Sequence, residues 1–398
     1  MIKHQNESSA ANTEDFSLVV GGPVYQFFLR VGLIKPPLDR VGLRVLIISA
    51  LVWVPLLVLT ILDGRFLSGV KVPFLLDYEV HLRLLAALPL AIVAEVVVHQ
   101  RVRVILRQFS DRQIVTSELK PRFESIIQSA MRLRNSVPIE LGLIAIVLLA
   151  VGLSWRVISG LQSDTWFATM TGGTALNTPA GYWYQFVSIP IIQFIALRWY
   201  FRLFVWGGLL WQTAKLDLRL VATHPDGSCG LGFLDGMTVA MAPLLLAHSC
   251  LLAGNLANRI LHDGTKLPDH YPEIAVIALF LMLLSLGPLC VFTPSLIRAK
   301  RQGLIKYGRL ASDLVRDFDQ KWIVGPRPKD EPLVGTPDIS ALADFSSAFS
   351  VVRSIGPFPF GRNSMVRLAV FIAIPLLPLG LTMFSLQELL IRLLHILL

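Results

Sequence analysis

Val45 to Leu62 reads VLIISALVWVPLLVLTIL, a run with no charged side chain. As a helix rising 1.5 Å per residue it covers roughly 27 Å, close to the thickness of a bilayer's hydrocarbon core. Backbone groups in hydrocarbon must be bonded within their own segment, so a run of this kind is helical. It lacks the two-residue alternation of a lipid-facing strand. Six further runs share its character: Leu84 to His99, Val137 to Ser154, about Tyr182 to Trp211, Met237 to Asn258, Glu273 to about Leu296, and Val366 to about Phe384. The fourth departs from the rest, because Arg198 and Arg202 stand inside it.

The whole chain agrees with these runs. Its 398 residues are 54% hydrophobic and 16% charged, against roughly 25% charged in soluble domains. Mean hydropathy is +0.62. A disordered chain and a conventional cytosolic enzyme are excluded. The fold class expected is an all-α integral membrane protein of about seven transmembrane helices. The net charge is +9, from 36 Lys+Arg against 27 Asp+Glu. Basic loops beside anionic lipid account for that excess. No nucleic-acid module accompanies it.

Lys and Arg alternate between the connections. The N-terminal segment has five, the second loop eight (Arg101 to Arg134) and the sixth twelve (Arg298 to Arg367), whereas the third has Arg156 alone. The positive-inside rule then puts the N-terminus in the cytoplasm and the C-terminus outside. The N-terminal sixteen residues are polar and acidic with no signal peptide, so the first spans direct insertion.

Four regions follow. Residues 1–44 form a cytoplasmic segment in which Phe16 to Ile34, apolar but broken by Gly21, Gly22 and Pro23, reads as an amphipathic interfacial helix. Residues 45–296 hold spans one to six, with 101–135 extending the second span into the cytoplasm. Residues 297–365 are a cytoplasmic insert, and 366–398 are the seventh span and tail. Within the insert, Lys306 to Trp322 places Leu314, Phe318 and Trp322 on one helical stripe. GPRPKDEP then breaks the helix. Thr336-Pro337-Asp338 starts a second helix, with Thr336 as cap. Its stripe includes Leu342 and Phe349. Such faces pack on each other, on the bundle, or on a protein partner.

Three stretches, HPDGSCGLGFL (224–234), KYGRLASDLVRDFDQKW (306–322) and GTPDISALADFSSAFSVVR (335–353), resemble recurring blocks of uncharacterised multi-pass bacterial membrane proteins. The resemblance covers about the C-terminal half. Cys229 departs from it, standing where a small residue such as Gly or Ala is expected. It implies a bacterial inner-membrane location and no activity, so it carries over no site residues.

Three constellations have chemical potential. Glu95 and His99, followed by Arg103, recur every four residues on one helix face. A carboxylate this deep reads as part of a proton or ion relay, or as half of an internal ion pair. Arg198 and Arg202 are also four apart. They attract anions, pair with Glu95, or snorkel to headgroups beside the neighbouring aromatics. His224-Pro225-Asp226-Gly227, followed by Gly230, lies at the expected cytoplasmic mouth of the fifth span. It reads as a functional motif or as a rigid Asx turn. Asn255 and Asn258 sit near the outer end of the fifth span and can bond neighbouring helices.

No phosphate-binding loop, zinc-protease, nucleophile-elbow or dinucleotide motif is present. Cys229, Cys250 and Cys290 form no CxxC. Neither metal nor cofactor is expected, and an enzyme using His224 and Asp226 is the last choice. Intramembrane charge favours a homo-oligomeric channel or transporter for ions or small solutes. The alternative is a non-catalytic scaffold or assembly factor docking partners through its cytoplasmic helices.

Overall fold

The computed structural model describes residues 16–33, 35, 38–158, 164–171, 174–326 and 337–383. The described residues form an all-α chain apart from one small hairpin. Among the described residues, six helices are long and apolar enough to cross a membrane: α2 (Val41–Leu62), α3 (Tyr78–Asp111), α6 (Pro179–Ala214), α7 (Ala242–His262), α8 (Leu267–Val324) and α10 (Arg362–Met383). A seventh span exists if α4 (Lys120–Arg134) and α5 (Val137–Ile158) count as one broken span, bent by 41°. The multi-pass helical architecture read from the sequence is the one observed.

Two helices widen where a proline removes a donor. Pro89 and Pro190 have no N–H to bond four residues back, and π-helical turns at Leu82–Ala87 and Tyr184–Ser188 precede them. The Gly287–Phe292 stretch of α8 tightens to 3-10 geometry around Pro288.

The N-terminal segment differs from the expectation of one interfacial helix. Among the described residues from Phe16 to Leu33, the helix is α1 (Pro23–Arg30). Phe16, Ser17, Leu18 and Val19 are instead buried inside the main core. The glycines explain the change. Gly21 and Gly22 have φ of +131° and +87°, conformations that side-chain-bearing residues rarely adopt, so the chain turns sharply before Pro23 starts the helix.

The insert is also organised differently at one point. Its first helix is not separate, because α8 runs unbroken from the sixth span through Lys306 to Val324 as an arm. The second is α9 (Pro337–Ser354), which lies along that arm. Leu314, Phe318, Leu342 and Phe349 are half-buried and Trp322 is buried. Asp338 accepts hydrogen bonds from Lys321 Nζ (2.8 Å) and Trp322 Nε1 (3.0 Å). These two donors hold its carboxyl below the usual carboxylate range. The expected cap Thr336, most of the GPRPKDEP breaker, the first fifteen residues and the C-terminal tail lie outside the described residues.

Residues 16–33, α4 and the base of the α8 arm gather at one end of the bundle, the basic end. At the opposite end, strands β1 (Ala168–Thr171) and β2 (Thr174–Asn177) pair antiparallel beside the buried Trp166. Between the ends, Ile48, Val52, Leu56, Leu84, Leu88 and Ile92 form one buried apolar cluster.

A buried arginine and glutamate cluster at the basic end

Glu95 lies 17 residues into α3, roughly 25 Å from that helix's far end. Its Oε1 accepts from Arg202 Nη1 of α6 at 2.7 Å. Its Oε2 accepts from Arg44 Nη1 of α2 at 2.6 Å. One carboxylate thus bridges two arginines from two other helices. The side chains of Arg44 and Arg202 are only 2% and 4% exposed, and that of Glu95 12%. Arg202 also lies over the Trp199 ring, 5.1 Å from its centroid. Burying charge costs several kcal/mol per ion unless it is paired. The pairing is what lets these residues sit inside apolar helices.

A second carboxylate extends the cluster. Glu140, in the first turn of α5, lies 3.6 Å from Arg198 Nε. Its Oε2 accepts the backbone N–H of Val24 at the start of α1 (3.4 Å). Gly22, with φ of +87°, suits this close approach, since a Cβ there would lie a tight 3.2 Å from Glu140 Oε2. Arg134, at the end of α4, donates to the Ser17 carbonyl and to Asn135 Oδ1. A cavity of about 20 Å³ lies among Arg134, Glu140, Arg198 and Arg202, room for one water. Among the described residues, Arg44, Arg134, Arg198 and Arg202 stand against Glu95 and Glu140, a formal excess of two positive charges. Arg44 Nε and Nη2, and Arg202 Nη2, are buried without a hydrogen-bond partner among the described residues.

The four relay candidates therefore separate. Glu95, Arg198 and Arg202 come together as an ion-pair cluster. His99 does not join them: its Nδ1 meets Ser17 Oγ at 2.6 Å, the same oxygen that accepts from the N–H groups of Val19 and Val20. His99 thus anchors the buried N-terminal segment. Sequence reasoning missed Arg44, which counted only as one of the basic N-terminal residues. It also missed Glu140, whose signal was a lone acid four residues into an apolar run, VPIELGLIAIVLL.

A groove of about 470 Å³ opens beside the cluster, between α1, α2, α5 and α6. Its walls are apolar. Its polar lining residues are Arg44, Glu95 and Arg198. A wider, open hollow of about 680 Å³ lies between residues 215–222 and the α8 arm, with Lys215, Arg219, Arg298 and Lys306 on its rim.

The HPDG loop is built around Asp226. Its Oδ1 accepts from the N–H groups of Ser228 (2.9 Å) and Gly230 (3.1 Å), and its Oδ2 from Gly232 (2.8 Å). Burial alone raises a carboxyl's pKa, but these three donors and neighbouring His224 hold Asp226 below its ordinary value. His224 Nδ1 is 3.0 Å from Asp226 Oδ1 and accepts the Asp226 N–H at 3.3 Å. Gly227, Cys229 and Gly230 all have positive φ, +62°, +55° and +97°. Cys229 is thus a residue with a side chain at a position that favours glycine. Burial and the nearby Asp226 carboxylate push its thiol up to about 11. The loop is held in place from the α9 side, where the Gly356 N–H donates to the Gly227 carbonyl (3.3 Å).

At the opposite end, Asp77 accepts from Trp166 Nε1 (2.7 Å), Val80 N–H (3.1 Å) and Asn258 Nδ2 (2.8 Å). Asn258 Oδ1 accepts the Tyr78 N–H (2.9 Å), and Asn255 Nδ2 reaches Glu79 at 3.4 Å. These bonds tie α7 to α3. Among the described residues, no three His, Cys, Asp or Glu side chains gather as a metal site would require. Comparison of the chain with family models, with curated proteins and with solved structures finds no match.

Proposed function

We infer that this multi-pass membrane protein is a transporter whose recognition site, at the arginine cluster, takes an anionic solute. The observation that supports the reading is the bridging of Arg44 and Arg202 by Glu95, deep in the bundle and with positive charge in excess. Intramembrane charge at a helix junction is a default mark of a solute or ion site. A carboxylate shared between arginines is also an internal mimic of the ligand. An incoming anion can take one arginine while Glu95 keeps the other, so no charge is left bare. The apolar cluster between the two ends argues for a gated transporter rather than an open pore. Passage needs rearrangement within one chain or a route between copies, and we take the protein as a homo-oligomer of the bacterial inner membrane, with the basic end in the cytoplasm. Purified protein in liposomes, assayed for flux of chloride, phosphate and short carboxylates, tests this reading. Flux by the wild type that falls at least tenfold in Arg202→Gln supports it. The absence of anion flux from the wild type across a range of pH rejects it.

A scaffold reading is favoured by one separate observation. Leu310, Val315, Ile323 and Val324 are exposed along the α8 arm, beyond what α9 covers. Crosslinking in membranes separates the two readings. A stoichiometric heterologous partner on the arm favours the scaffold, and self-crosslinks alone favour the transporter.

A further inference from the structure

The groove beside the cluster has the form of a site for a molecule with an acidic head and a hydrocarbon tail. Phe27, Leu51, Ile144, Leu148 and Phe194 line its sides, and the first four of these are exposed on the outer rim. Ile48, Ile92 and Val147 form a buried floor. The rim residues belong to membrane-spanning helices and to α1, so the groove opens toward lipid. Its closed end meets Arg44, Glu95 and Arg198. The volume, about 470 Å³, lies within the roughly 300–1,000 Å³ of ligand pockets.

Two independent features point to the same occupant. Apolar walls of this length suit an alkyl chain and offer a small hydrated ion nothing. At the closed end, the Arg44 side chain is 98% buried, and two of its three guanidinium nitrogens have no partner among the described residues, since only Nη1 bonds Glu95. A buried donor left unsatisfied costs about 1–3 kcal/mol. An acidic headgroup at that end would supply the missing acceptor, and the two-charge excess of the cluster would balance it. A zwitterionic head offers the acceptor but no net negative charge to set against that excess. We propose that this groove binds an anionic phospholipid of the surrounding bilayer, head against Arg44 and Arg198, one acyl chain between α2, α5 and α6. The proposal rests on reading the arginine cluster as an anion site, and it names the amphiphile that fills it.

Native mass spectrometry of the full chain in detergent tests it, with phosphatidylglycerol, phosphatidylcholine of the same chains, and glycerol phosphate as probes. The expected result is saturable binding of phosphatidylglycerol, at least tenfold tighter than phosphatidylcholine, with no binding of glycerol phosphate in the same range. Arg44→Gln should remove that preference. Because Arg44→Gln disturbs a buried ion pair, a second variant fills the groove from its exposed rim. Leu51→Trp, with Leu148→Trp, leaves every charge in place and should lower phosphatidylglycerol binding at least tenfold at unchanged thermal stability. Equal binding of the two lipids, or phosphatidylglycerol binding that survives the two tryptophans, marks ordinary annular lipid and overturns the proposal. Glycerol phosphate binding as tightly as the lipid also overturns it. The liposome assay is read separately. Anion flux without lipid preference leaves the transporter and removes the lipid, and lipid preference without flux does the reverse.

Discussion

Glu95 on α3 and Arg202 on α6 meet at 2.7 Å, more than one hundred residues apart in sequence and inside a bundle whose surface is apolar. Arg44 closes on the other oxygen of the same carboxylate. Three helices are thereby fixed in rotation and depth by one acid, because a shift of one turn in any of them would leave a buried charge alone.

Glu95→Gln should therefore destabilise strongly, by about 3–5 kcal/mol, since it strands two buried guanidinium groups. Arg202→Met alone should cost a similar amount. The double variant Glu95→Gln with Arg202→Met should cost less than the sum, with a coupling of about 0.5–3 kcal/mol. Unfolding in detergent, followed by tryptophan fluorescence, measures all three. Simple additivity would show that the contact contributes nothing of its own.

Asp226 organises the HPDG loop through backbone donors, so Asp226→Ala should orphan the N–H groups of Ser228, Gly230 and Gly232 and cost about 2 kcal/mol. Acid acts on the same carboxyl. Its folded pKa is depressed, so its contribution is present above the ordinary value of 3.8 and is lost as pH falls through the lower folded value. Thermal melts of wild type and Asp226→Ala should differ at neutral pH and converge in strong acid. A constant gap down to the lowest accessible pH contradicts the assignment.

Cys229 is buried, with its thiol pushed up to about 11 from 9.0. Maleimide at pH 7.5 should leave it unlabelled in the folded protein and label it rapidly after unfolding. Because the folded thiol holds its proton more tightly than the unfolded one, stability should decline as pH rises from 9.0 to about 11. Cys229→Gly should remove that decline and be tolerated, since φ is +55° at this position. Marked loss of stability in Cys229→Gly would mean that the thiol's packing outweighs the backbone strain.

Gly303 marks where the α8 arm, the HPDG-side segment and α9 converge. A Cβ there would lie 2.7 Å from the Cβ of Ala222 and 3.0 Å from Cγ1 of Val352. Gly303→Leu should force them apart, at about 1–3 kcal/mol. Hydrogen exchange should rise across α9 and the HPDG loop while the membrane spans stay protected. Unchanged protection of α9 would show that it is held to the arm elsewhere.

The spans were legible from the sequence, because hydrocarbon leaves an uninterrupted apolar run no structure but a helix and sets its length. VLIISALVWVPLLVLTIL and its six counterparts each map onto a helix of the bundle or onto the broken α4–α5 pair. Glu95, Arg198 and Arg202 stood out for the same reason: a charge in such a run needs an explanation. Their partners did not. Arg44 reads as one more basic residue before a span, and Glu140 as one acid in an apolar stretch. His99 stands on the helix face of Glu95, yet it serves the backbone of residues 17–20. Periodicity reports which face a residue occupies, but pairing depends on the depth and rotation of other helices, which the chain sets only once packed. What the sequence by itself determined is the set of helices and the cost of burying these charges. Which arginine meets which glutamate, and the groove left beside them, was decided by tertiary packing, because a buried charge is stabilised only by whatever partner three-dimensional proximity supplies.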